Sequence, residues 1–184
     1  MGNPLRDRRT PSEWAASGQV IEFSEKIREF ERLAGIVGGD LETLDPDKLP
    51  TGWRDRVVAG KLSFGFADAH DSLPTLQGDA EVTIDVVCQR CLAAMQLPLQ
   101  VELRLQFGSD DSSALGDDEY EVWELEEEKL RPMDLVDEAL IMAMPLVMKH
   151  VDSETCRGPE KEKQGSGERT RPFANLKSQM EKDN

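Results

Sequence analysis

The sequence predicts an α+β fold: an antiparallel β meander, open or barrel-like, packed by one or two helices and flanked by disordered termini. Three observations carry this. Apolar residues alternate with polar ones through Ala80, Val82, Ile84 and Val86. They alternate again through Leu97, Leu99, Val101, Leu103, Leu105 and Phe107. Period two marks a strand with one face on a core. Between the two runs lies Cys88-Gln89-Arg90-Cys91, a connection that suits an antiparallel hairpin with two thiols at its tip.

Taken in order, residues 1–17 read as a flexible basic arm, with Arg6, Arg8, Arg9, two prolines and little apolar material. A single domain then spans 18–156. Val20, Ile21 and Phe23 form a short strand. Ser24 is placed to cap a helix in which Ile27, Phe30, Leu33 and Ala34 share a face, and Gly35, Gly38 and Gly39 end it. Asp45-Pro46 marks a turn. Val57 and Val58 lead into the alternating Leu62, Phe64 and Phe66, and a turn containing His70 leads into the strand that ends at Cys88. The meander therefore covers 56–107.

Residues 108–118 are a polar, acidic linker, and eight of the twelve residues in 117–128 are acidic. Two readings stand for that run. It is a solvated loop or edge strand, anchored by Tyr120, Val122 and Leu125, or it docks a basic partner through residues such as Glu126, Glu127 and Glu128. The clearest helix covers 132–144. Pro132 suits its first turn, and Asp134 or Asp137 can meet its free N–H groups. Leu135, Val136, Ala139, Leu140 and Ala143 form the apolar face, with Asp137 and Glu138 outside it. Ile141, Met142 and Met144 make its end apolar all round, which predicts burial there; Pro145 stops it. The methionines Met133, Met142, Met144 and Met148 are assigned to the core, with an adaptable partner surface as the alternative. Residues 157–184 read as a disordered tail with a short Pro-Phe-Ala element at Phe173.

A formal charge of −15 over 184 residues argues against a surface that coats RNA unaided, and favours basic partners. Three cysteines do not make a disulfide framework and fit a reducing compartment. No secretory signal or membrane span is expected, so the protein is placed in the cytoplasm. No phosphate loop, serine elbow or shielded carboxylate pair is present, so neither an enzyme nor a small-molecule substrate is expected.

Three thiols and an imidazole can make a closed tetrahedral zinc site, with Cys88, Cys91, His150 and Cys156 as candidate ligands. His70 is an alternative to His150. Such a site would be structural, tying the segment behind the helix to the hairpin tip. A dithiol redox centre competes, although that chemistry favours a cysteine at a helix N-terminus and only 92–97 precede Pro98. Ordinary buried or exposed thiols are the third reading. Arg90, between the cysteines, is a candidate contact for a partner's phosphate or carboxylate, or a surface arginine paired locally.

Leu76-Gln77-Gly78-Asp79-Ala80, the alternating strand and Cys88-Gln89-Arg90-Cys91-Leu92 together resemble the YceD family, the large ribosomal RNA subunit accumulation proteins. The resemblance continues through Met133-Asp134-Leu135, Glu138, Met144-Pro145-Leu146-Val147, His150, Cys156 and Pro172-Phe173-Ala174. It spans about Arg56 to Phe173 and departs at Met148-Lys149, where the family often has a proline, and in the tail after Ala174. It implies a bacterial, non-enzymatic factor linked to accumulation of large-subunit (23S) ribosomal RNA and to ribosome assembly, with the cysteines as metal binders. Ribosomal RNA or basic ribosomal and assembly proteins would be its partners. The alternative is a thiol redox or metal-relay protein using the Cys-x-x-Cys pair.

Overall fold

The alternation in the sequence becomes the two faces of one sheet. A computed structural model describes residues 3–67, 73–108, 120–125, 127–151 and 156. Strands β1 (Val20–Lys26), β2 (Val57–Phe66), β3 (Pro74–Val87), β4 (Ala94–Phe107) and β5 (Glu121–Trp123) lie in that order across the sheet. The first four pair antiparallel, as a meander should. The short β5 runs parallel to β4, with Gln106 opposite Val122. Among the described residues no pairing joins β5 to β1, so the barrel-like alternative gains no support. β5 occupies the acidic run, whose edge-strand reading therefore holds at 121–123.

One face of the sheet carries Ile21, Phe23, Val58, Leu62, Phe64, Leu76, Val82, Ile84, Leu99, Leu103 and Leu105, all buried. Helices α1 (Pro11–Ser17), α2 (Glu31–Leu41) and α3 (Pro132–Met142) join this core through Trp14, Leu33, Val37, Leu135, Val136 and Leu140. No helix is long and apolar enough to cross a membrane among the described residues.

The N-terminal segment corrects the expectation of a flexible arm. Thr10 and Glu13 form a reciprocal capping box at the start of α1. Trp14 is fully buried and stacks on Phe64 with ring centroids 5.0 Å apart, and Leu5 is buried as well. Arg9 lies over the Trp14 ring, and its backbone exchanges hydrogen bonds with Leu130. Arg6, Arg8 and Arg9 pair with Glu29, Glu127 and Asp7. The two prolines open helical turns here instead of preventing them.

Helix α2 departs from expectation at both ends. Ser24 does not cap it; β1 runs on to Lys26, with Ser24 opposite Ala59, and a 3₁₀ turn (Ile27–Glu29) intervenes. Gly35, Gly38 and Gly39 lie inside the helix. Each costs about 1 kcal/mol of helix propensity against alanine, and burial of Leu33, Ala34, Val37 and Leu41 offsets it. Gly38 has a packing reason, since a Cβ there would stand 3.3 Å from the Trp53 ring.

Helix α3 forms where expected, but its polar pattern differs. Asp137 is buried, not outward, and its carboxylate accepts the Arg32 and Leu33 amides at 3.1 and 2.9 Å. The far end of α3 is not enclosed. Met142 and Leu146 are exposed, Met144 and Met148 are half-buried, and only Met133 of the four methionines is fully in the core.

Candidate metal centre

The tip of the β3–β4 hairpin is built by its own backbone. The Cys88 amide donates to the Ala93 carbonyl at 2.9 Å, and the Leu92 amide returns to the Cys88 carbonyl at 2.8 Å. Leu92 takes a left-handed backbone, φ +58°, which closes the turn beyond Cys91. Two outside contacts hold this tip. Asp40 near the end of α2 accepts the Val87 amide at 2.6 Å, fixing the residue before Cys88. Behind α3 the chain doubles back, and the Met148 carbonyl accepts the Gln89 amide at 2.9 Å. That contact delivers His150 to the hairpin.

The result is a group of four donors, Cys88, Cys91, His150 and Cys156, whose ligand atoms all lie within 4.8 Å of one another. Cys88 Sγ is 3.5 Å from Cys156 Sγ, and Cys91 Sγ is 3.4 Å from His150 Nδ1. A tetrahedral zinc ion with bonds of about 2.3 Å to sulfur and 2.0 Å to nitrogen would set such edges near about 3.5–3.8 Å. The donor set fits the ion in number, softness and spacing. Cys88 and Cys156 are buried, while Cys91 and His150 are half-buried.

The surroundings favour thiolate at the first position. Desolvation pushes the Cys88 thiol up, but the amides of Cys91, His150 and Arg90 and the Cys156 side chain outweigh it and bring the thiol down to about 5. Cys91 moves the other way. The Ala93 amide lowers it, but desolvation together with the Cys88 and Cys156 sulfurs raises it further. Three thiols packed this closely cannot all ionise without a cation among them.

The cysteines and His150 thus converge from two distant parts of the chain. Arg90 is exposed at the tip, yet its Nε donates to Cys156 Sγ at 2.9 Å. Glu127 pairs with Arg8 and Glu128 is exposed. Glu126, Phe173 and His70 lie outside the described residues. No helix begins at the cysteines, so the helix N-terminus that dithiol chemistry favours is absent from 88–93. Sequence reasoning missed Asp40, whose role depends on a tertiary contact with no local signal. It also missed the amides that face Cys88, for which the Cys-x-x-Cys spacing was the available sign.

A family model described as large ribosomal RNA subunit accumulation protein YceD matches residues 76–182, more than half of the chain. The matched region begins in β3 and contains the hairpin tip, β4, α3 and all four donors. No solved structure matches the chain. YceD-type proteins are structural and accessory factors, which is consistent with a non-enzymatic role. On a match of this extent, with the hairpin thiols and the residues behind α3 inside it, the chain belongs to the YceD family.

Proposed function

We propose that the protein is a ribosome-biogenesis factor needed for accumulation of large-subunit (23S) ribosomal RNA, acting in the cytoplasm, with Cys88, Cys91, His150 and Cys156 holding one structural zinc ion. The observation that carries this reading is the coincidence of the family match with the four-donor group. Zinc supplies four coordination bonds and, with four protein ligands, no open position for water. The residues themselves do the rest. The Cys88 and Cys91 turn presents two sulfurs, the Met148 carbonyl registers the returning segment, and Asp40 holds the strand end. The hairpin tip and the chain behind α3 then become one surface.

The direct partner is a basic ribosomal or assembly protein in this reading, with ribosomal RNA reached through it. The charge of −15 supports that choice, because an acidic chain gains little by counterion release from phosphates. The run 117–128, including Glu126, Glu127 and Glu128, is the proposed contact. Three measurements test the proposal. Protein purified under reducing conditions should carry one zinc per chain, lost on Cys88→Ser or Cys156→Ser. In gently sedimented lysate it should travel with immature large-subunit particles, and its deletion should lower 23S relative to 16S RNA. A metal-free protein with a reversibly oxidised Cys88–Cys91 pair would favour the thiol redox or metal-relay reading. Unchanged 23S RNA in the deletion would overturn the biogenesis role.

A further inference from the structure

The four donors are attended unequally. Cys88 faces the backbone amides of Cys91, His150 and Arg90, and Cys91 faces the amide of Ala93. The amides of Arg90, Cys91 and Ala93 are part of the turn and come with its fold, and that of His150 arrives with the segment behind α3. Cys156 is different. Among the described residues the N–H donor at its sulfur is a side chain, the Arg90 Nε at 2.9 Å. It is also the ligand furthest away in the chain, 68 residues beyond Cys88.

We infer that Arg90 is a positioning residue of the metal centre: its Nε–H directs the Cys156 thiolate into the fourth corner, and its charge neutralises the loaded site. This rests on the metal reading above and adds to it a role for a residue outside the ligand set. The charge balance is simple. Three thiolates, a neutral imidazole and a divalent ion leave one net negative charge, which the guanidinium cancels. Arg90 lies close enough to all three sulfurs for their charges to act on it. Outer partners that orient ligands contribute strongly to metal affinity. A guanidinium suits the task better than an ammonium, because Nε–H has a fixed direction in a rigid plane and holds its charge at any physiological pH. Nε is thereby committed to sulfur, so the arginine serves the centre before any partner.

The experiment uses the full chain, zinc-loaded, as wild type, Arg90→Gln and Arg90→Lys, with circular dichroism to check the fold. Zinc affinity is read by competition with a chromophoric chelator, and each cysteine's protection by alkylation and mass spectrometry. Arg90→Gln should bind zinc about 10- to 100-fold more weakly. Its Cys156 should become alkylated ahead of Cys88 and Cys91. Arg90→Lys, which keeps charge without the directed Nε–H, should fall between; it also decides the matter if the glutamine variant does not fold. Wild-type affinity and wild-type Cys156 protection in the folded variants would overturn the inference, and a defect confined to partner binding would return Arg90 to a docking role. A wild-type protein that binds no zinc would overturn the metal reading as well, which separates the two failures.

Discussion

The amide of Leu33, in the first turn of α2, donates to the carboxylate of Asp137, in α3, at 2.9 Å. One helix therefore supplies the N-cap of another, and the Arg32 amide shares it at 3.1 Å. Asp137→Ala should cost about 1–2 kcal/mol in urea unfolding, as loss of an N-cap does. Asp137→Asn keeps an acceptor for one amide and should cost less.

The same carboxyl sets a pH dependence. Burial raises it above the usual carboxylate range, and the Leu33 and Arg32 amides offset only part of that. A folded-state value above the unfolded one means that the folded protein binds this proton more tightly. The group's contribution is full below the unfolded value and is lost as pH rises through the folded one. The stability of wild type relative to Asp137→Asn should fall as pH rises above the ordinary carboxylate range. A flat difference would show that the amides fully compensate the buried charge.

Trp14 tests the reassignment of the N-terminal segment. Its ring is fully buried against Phe64. Trp14→Ala should destabilise by about 3–5 kcal/mol, as large aromatic truncations do. Removal of residues 1–17 should cost at least as much, and a chain indifferent to that deletion would mean the segment is not part of the fold.

Chelation should act locally. Stripping metal from the loaded protein is expected to lower its melting temperature by several degrees or more. In hydrogen exchange the Gln89 amide, bonded to Met148, should lose protection first, while the β1–β2 amides keep theirs. Uniform loss across the sheet would mean that the centre holds up the whole fold.

Leu92 carries strain at the tip. An L-residue at φ +58° costs about 1 kcal/mol, and glycine relieves it at an entropic cost of similar size. Leu92→Gly should therefore change stability by less than about 1 kcal/mol and leave metal content unchanged. Leu92→Ile, branched at Cβ, should be the worse substitution and should weaken metal retention with it.

Legibility in the sequence followed the range of the interaction. The alternation at Ala80–Val86 and Leu97–Phe107 is a property of neighbours, and β3 and β4 are where it placed them. α3 was visible in its apolar periodicity and in Pro132 and Pro145. The candidate centre was half visible. Cys88 and Cys91 announce a pair, but only the fold brings His150 and Cys156 to it. What escaped depends on contacts between distant segments. Leu5 and Trp14 are too few to raise the apolar content of their stretch, yet each fills core. The glycines of α2 look like a stop because the helix is held from outside, by Asp137 and by its packed face. Asp137 itself looked like a solvated residue because its amide partners lie more than a hundred positions earlier.

The 68-residue span between Cys88 and Cys156 also sets a timetable. The strands β1 to β4 pair with their immediate neighbours in sequence, so they can assemble as the chain is being made. The four-donor group cannot. Its last member is made only after the sheet, the acidic run and α3. During that interval Cys88 and Cys91 stand at the hairpin tip without their two distant neighbours, His150 and Cys156. On the metal reading proposed above, closure of the site waits for Cys156 and so follows the pairing of β1 to β4.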